Sequence, residues 1–122
     1  MQLTSLDPQP RSYAMGTLAS DVGRVLYVSG QVPAHADGSV PDGFAAQCRL
    51  AWQNVLAVLG GAGMSVANLV KVTIFLSDRQ YRGENSRIRH EILGEHCPAL
   101  TVIITGIYDE SWLLEIEAVA MD

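Results

Sequence analysis

Positive charge is scarce in this chain. Eight lysines and arginines stand against thirteen aspartates and glutamates, a net charge of −5 over 122 residues. Nucleic acid is normally met by a basic surface, so this balance disfavours it as a partner. Cysteine is nearly absent, with Cys48 and Cys97 far apart. The start, MQLTSLDPQPRSYAMG, has no basic segment leading into an apolar stretch, so no export signal is expected. The two cysteines then read as free thiols in a reducing compartment, and the chain as cytoplasmic. No apolar run approaches the ~20 residues a helix needs to cross a bilayer, so no membrane partner is expected. The sequences GxSxG, GxGxxG and a P-loop occur nowhere.

Apolar residues, by contrast, make up 48% of the chain, and its mean hydropathy is +0.17. The length suits one domain, 1–122, that buries enough surface to need neither disulfide nor metal. The apolar excess reads either as a core continuing into a subunit interface or as a well-filled core.

SYAMGTLAS alternates weakly up to the turn-forming DVG, and RVLYVSG follows as a β-branched, aromatic run ended by Gly30; the pair predicts a hairpin. QVPAHADGSVPDG is a loop with Asp37-Gly38 as its turn. The stripe Phe44, Cys48, Trp52, Val55 and Leu59 predicts an amphipathic helix stopping at Gly60-Gly61. VANLVKVTIFLSD predicts a strand, with Lys71 and Thr73 alternating against Val72 and Ile74. ENSRIRHEILGEH predicts a shorter helix with Ile88, Ile92 and His96 on one face, ended by Pro98. ALTVIITG and WLLEIEAVAM predict two further strands. In the last, Leu114, Ile116, Ala118 and Ala120 share one face, and Glu115 and Glu117 the other. The order β-β-α-β-α-β-β predicts an α+β fold, two helices over one face of a small mixed sheet.

Reactive side chains are densest in HEILGEHCPALTVI, residues 90–103. A zinc-binding helix places histidines four apart, so that both rings leave one face. His90 and His96 are six apart, Glu91 and Glu95 share a face with neither, and His35 lies in a distant loop. No metal site is expected. Cys97 adjoins His96, but sequence neighbours point apart and a nucleophilic thiol needs its base within hydrogen-bond reach. Cys97 reads as a small apolar residue at a helix-to-strand junction.

Several blocks agree with one family when taken together. YVSGQVP (Tyr27 to Pro33), AAQCRLAWQNVLAVLGGAG, LVKVTIFLSD, EH.PA and LEIEAVA resemble the Rid/YjgF-like reactive-intermediate deaminases, over roughly residues 11–121. The resemblance implies a chorismate-mutase-like fold in a homotrimer with a central barrel and small-molecule clefts between subunits. It also implies hydrolysis of imines and enamines to a 2-keto acid and ammonia, without metal or cofactor. An older ribonuclease label circulates in the family. By position, Tyr13 matches a tyrosine bordering the cleft, and Ser29 and Gly30 match a strand end offering backbone donors. Tyr81 matches an aromatic lining the pocket, and Asn85 an asparagine at the start of the second helix. Glu115 matches the acid that positions or activates water.

One position departs. The family reads P-A-R-T where this chain has Pro98-Ala99-Leu100-Thr101, so Leu100 replaces the arginine that clamps the substrate carboxylate. No apolar side chain imitates the planar fork of guanidinium and carboxylate, and losing one partner of such a pair costs roughly 2–5 kcal/mol. The expected function is therefore a deaminase or hydrolase of an imine, enamine or related compound outside the usual 2-imino acids, with Leu100 as an apolar pocket floor. Arg82 and Arg87 flank Asn85 and are the nearest replacement cations by sequence; the rarity of buried charge makes both read as surface residues. The alternatives are a non-catalytic ligand-binding or regulatory trimer and, less favoured by the charge, a ribonuclease or translation inhibitor.

Overall fold

The computed structural model describes residues 1–122. Its strands are β1 (Gln2–Gln9), β2 (Tyr13–Ser20), β3 (Val25–Gln31), β4 (Leu69–Leu76), β5 (Ala99–Ile104) and β6 (Leu114–Met121). They form one mixed sheet in the order β1-β2-β5-β4-β6-β3, in which β5 runs parallel to both neighbours. Helices α1 (Phe44–Gly61) and α2 (Arg82–Leu93) lie side by side against one face. The two-helix, mixed-sheet architecture is as the sequence predicts, with one strand more.

That strand is β1. Its segment QLTSLDPQ carries Asp7 and Pro8, which read against a strand. An edge strand has a side with no ladder to complete, so proline is tolerated there. The strand β1 pairs only with β2, Pro8 opposite Ala14, through a turn in which Arg11 and Ser12 take φ of 67° and 65°. The predicted hairpin of residues 12–30 is corrected accordingly: β2 has β1 and β5 as neighbours, and β3 crosses to pair antiparallel with β6 at the far edge.

The stripe of α1 is buried as predicted, with Cys48, Trp52, Val55 and Leu59 fully enclosed. Gly60 and Gly61 lie inside the helix; the stop is Gly63, at φ 72°. Met64 N–H bonds Leu59 O and Gly63 N–H bonds Gly60 O, the paired closure that a left-handed residue after the cap permits. Likewise α2 ends before Pro98, at Gly94 with φ 59°, so His96 lies outside the helix and shares no helical face with Ile88.

In β4 the residues Val72, Ile74 and Leu76 point into the core, and in β6 Leu114, Ile116 and Ala118 do the same. The opposite face, bearing Lys71, Thr73, Phe75, Glu115 and Glu117, has no helix over it. Apolar side chains stand open there: Val25, Tyr27 (77% exposed) and Ile103.

Leu59 is wholly enclosed between α1 and the sheet. Leu59→Ala is expected to cost about 2–5 kcal/mol, read as a lower denaturation midpoint at unchanged slope.

Candidate functional site

Strand alternation sorts the seven sequence-predicted site residues into two groups on different sides of the sheet. Glu115, Ser29 and Gly30 form the first. Glu115 pairs with Phe75 and so leaves the face away from the helices. The pairing of β3 with β6 slips between Val28 and Gln31, a bulge that re-aims the strand at Gly30. The Glu115 carboxyl lies directly over the Gly30 backbone: a Cβ at position 30 would come within 2.8 Å of Glu115 Cδ and closer still to Oε2. Any larger residue there would displace the carboxyl. Glu115 takes part in none of the three ion pairs, Arg24–Asp122, Arg49–Glu91 and Arg87–Glu84. Beside it Phe75, Thr105, Gly106, Ile107 and Tyr108 surround an open cleft of about 410 Å³. Ser29 is exposed on the same side, near Lys71, Thr73 and Glu117.

Asn85, Tyr13, Tyr81 and Leu100 form the second group, around α2. Asn85 is one turn inside the helix, 2% exposed, and its Oδ1 has no hydrogen-bond partner. It lines a cavity of about 270 Å³ with Arg82, Arg89, Leu76, Val102 and Ile104. Leu100 is half-buried on the same face of β5 as Val102 and Ile104, two and four residues along. The Tyr81 ring stacks flat on Phe44, centroids 4.6 Å apart and planes within 6°, and does not line that cavity.

Of the two cations singled out by sequence, Arg87 is on the solvent side, 3.8 Å from Glu84, while Arg82 lines the cavity. The cation that sequence reasoning missed is Arg89, only 5% exposed. Its Nε and Nη2 donate to Arg11 O at 3.2 and 3.0 Å, and its guanidinium carbon stands 5.8 Å from the Tyr13 ring centre. Burial pushes its pKa down, opposed by Tyr13; an arginine nonetheless stays protonated. No carboxylate pairs with it. The spacing carried the signal: 82, 85 and 89 recur at three and four and share one helical face, together with Ile88.

His90 and His96 do not converge. His90 Nδ1 meets Ser12 Oγ at 2.7 Å and His96 Nε2 meets Leu69 O at 2.7 Å. No three His, Cys, Asp or Glu side chains gather as a metal set. Cys97 Sγ donates to Glu95 O at 3.5 Å and has no basic hydrogen-bond partner. No helix is long and apolar enough to cross a membrane.

Two helices on one face of a six-stranded mixed sheet define a small α+β protein. The family described as endoribonuclease L-PSP matches residues 9–122. A RutC family protein of Pasteurella multocida is 32% identical over 94% of this chain and 93% of its own length. The 2-iminobutanoate/2-iminopropanoate deaminase of Escherichia coli K12 is 31% identical over 83% and 82%. A Rid-family protein of unknown function from Yersinia pestis, YyfB, superposes with TM-score 0.88 at 22% identity over the full length of both, a likeness of fold alone. RidA of Psychrobacter superposes with TM-score 0.78 at 25% identity, over 94% of this chain and 98% of its own. This chain belongs to the Rid/YjgF family, also described as endoribonuclease L-PSP.

Burial pushes the Cys48 thiol up to about 12 from an ordinary 9.0. The folded state thus keeps a proton that the unfolded chain releases. That stability is complete below pH 9 and is lost as pH rises toward 12, by up to ~1.4 kcal/mol per unit. Denaturant titrations between pH 8 and 11 are expected to show this slope in the native chain and a shallower one in Cys48→Ala.

Proposed function

We propose that the chain hydrolyses a reactive imine, enamine or related compound with a water held by Glu115, in clefts between the subunits of a homotrimer. The observation that carries the reading is the free Glu115 carboxyl seated over Gly30 beside an open cleft. Glu115 accepts a proton from the water as its oxygen attacks the carbon of the C=N bond. The carbinolamine then collapses to a carbonyl compound, and the departing nitrogen takes up protons to leave as ammonia. General-base assistance of this kind is worth roughly 10²–10⁴ in rate. The relative named a 2-iminobutanoate/2-iminopropanoate deaminase supports the same reaction class.

The homotrimer is part of the reading because one copy cannot finish the site. Glu115 leaves the bare face of the sheet, whereas Asn85 and Tyr13 lie with α2. The two groups meet around one ligand only across a boundary between copies. Apolar Val25, Tyr27 and Ile103 on the bare face fit such a boundary. With Leu100 at the strand position, the substrate is not held by a guanidinium from β5.

Ammonia release from freshly generated imines is expected for the native chain, with a loss of a hundredfold or more in Glu115→Gln and unchanged circular dichroism. Ligand binding with no turnover in either protein would favour the binding-protein reading instead. Sedimentation is expected to give three times the 13.2 kDa chain mass; a monomer would remove the shared cleft.

A further inference from the structure

Two amides on the helix side of the sheet make hydrogen bonds that end beside Glu115 and Gly30. Helix α1 packs on β6 and β3, the strands that carry those two residues. Gln47, near the start of α1, is only 4% exposed. Its Nε2 donates to Pro41 O at 3.1 Å and to Ser111 O at 3.0 Å, and its Oε1 accepts from Leu113 N at 2.8 Å. Both amide hydrogens and the carbonyl are therefore in use. Asn54 donates from Nδ2 to Val32 O at 2.9 Å and to Ala34 O at 3.1 Å. Two helical turns separate the two amides, which places them on one face of α1.

The groups they hold belong to no strand ladder. Leu113 stands just ahead of β6, and its carbonyl accepts from Ser77 N, just beyond β4, at 3.0 Å. The start of β6 is thereby held from α1 and from the end of β4 at once, with Glu115 next but one along the chain. On the other strand, the register of β3 with β6 skips Ser29 and Gly30 and resumes at Gln31, opposite Ile116. Asn54 fixes the chain immediately afterwards, where it leaves the sheet. Backbone without ladder partners lies where side chains of this kind put it. The tolerance is small, because the Glu115 carboxyl fills the place that a Cβ on residue 30 would take. A reacting group displaced by about 1 Å can lose on the order of a hundredfold in rate.

We propose that Gln47 and Asn54 are positioning residues, which set the Glu115 carboxyl and the Gly30 strand end against each other from the opposite side of the sheet. This rests on the hydrolase reading for what Glu115 does, and deepens it by naming what fixes its geometry. Neither amide lines the cleft beside Glu115, so neither touches a ligand bound there.

The test uses the full chain and two readouts. In ¹³C,¹⁵N-labelled protein the Gly30 amide and Glu115 side-chain carboxyl resonances are expected to shift in Gln47→Met and in Asn54→Ala. Resonances of β1, at the opposite edge of the sheet from β3, are expected to stay in place. The second readout is ammonia release from acetophenone imine, an N–H imine without a carboxylate. Its kcat is expected to fall about tenfold in Gln47→Met and about threefold in Asn54→Ala, with KM within about twofold. Gln53→Ala, at an exposed position on the same helix, should leave both readouts unchanged. Gly30 and Glu115 resonances that stay put in both variants, or that move while kcat holds, overturn the proposal. If Gln47→Met does not fold, Asn54→Ala, which removes a half-buried side chain, decides by the same criteria. The two readings fail separately. A native chain without turnover, or a Glu115→Gln that keeps full ammonia release, removes the hydrolase reading, and the NMR shifts then decide the placement alone.

Discussion

A sheet covered by helices on one face only, with side chains that alternate strictly from face to face, is the constraint on which the rest depends. In β6, Leu114 and Ile116 close the core under α1 while Glu115 between them is turned the opposite way. The alternation has period two, so no small backbone adjustment could bring Glu115 to the helix side without exposing its neighbours. The same alternation in β5 sends Leu100, Val102 and Ile104 toward the helix side and Ile103 away from it. A chain of this design therefore presents two chemically different surfaces. One has an acid and an open strand end; the other has cations, an amide and an apolar wall.

Each surface carries a local device. Over Gly30 the space taken by the Glu115 carboxyl is the space a side chain would need, and the β3 bulge sets that strand end. At α2 the device is Arg89 itself. Desolvating a guanidinium costs several kcal/mol, and a hydrogen bond from a charged group returns roughly 1.5–3. The two bonds to the Arg11 carbonyl share one acceptor, so they cannot both return the full amount. The Tyr13 ring adds about 0.5–2 kcal/mol by its negative face. Both contacts offset part of the cost of enclosing Arg89.

Much of this was legible in the sequence. The stripe of α1 and the two-faced pattern of β6 follow from spacing alone, because burial enforces period on both. Other features obey longer-range rules. The strand β1 contains Pro8, admissible only because the strand lies at the edge, and sequence does not announce which strand is outermost. The partner of β3 was misread since adjacency in sequence is only a tendency, and β1 already occupied the free side of β2. Gly63 and Gly94 end the helices through positive φ, where the more conspicuous Gly60-Gly61 and Pro98 do not. Arg89 was overlooked because the segment RIRHEIL looks uniformly polar between its aliphatic residues. Its burial becomes visible only when 82, 85 and 89 are placed on one helical face beside Ile88.

Leu100 lies on the helix-facing side of β5, two residues from Val102, and is not part of the α2 cavity lining. Arg82 and Arg89 already bring two positive charges to a lining that has no acid. No further cation reaches that lining from β5. Leucine at that place packs on the core beside Val72 and adds apolar area instead. Charge on this side of the sheet is carried by α2, and the helix-facing side of β5 is aliphatic.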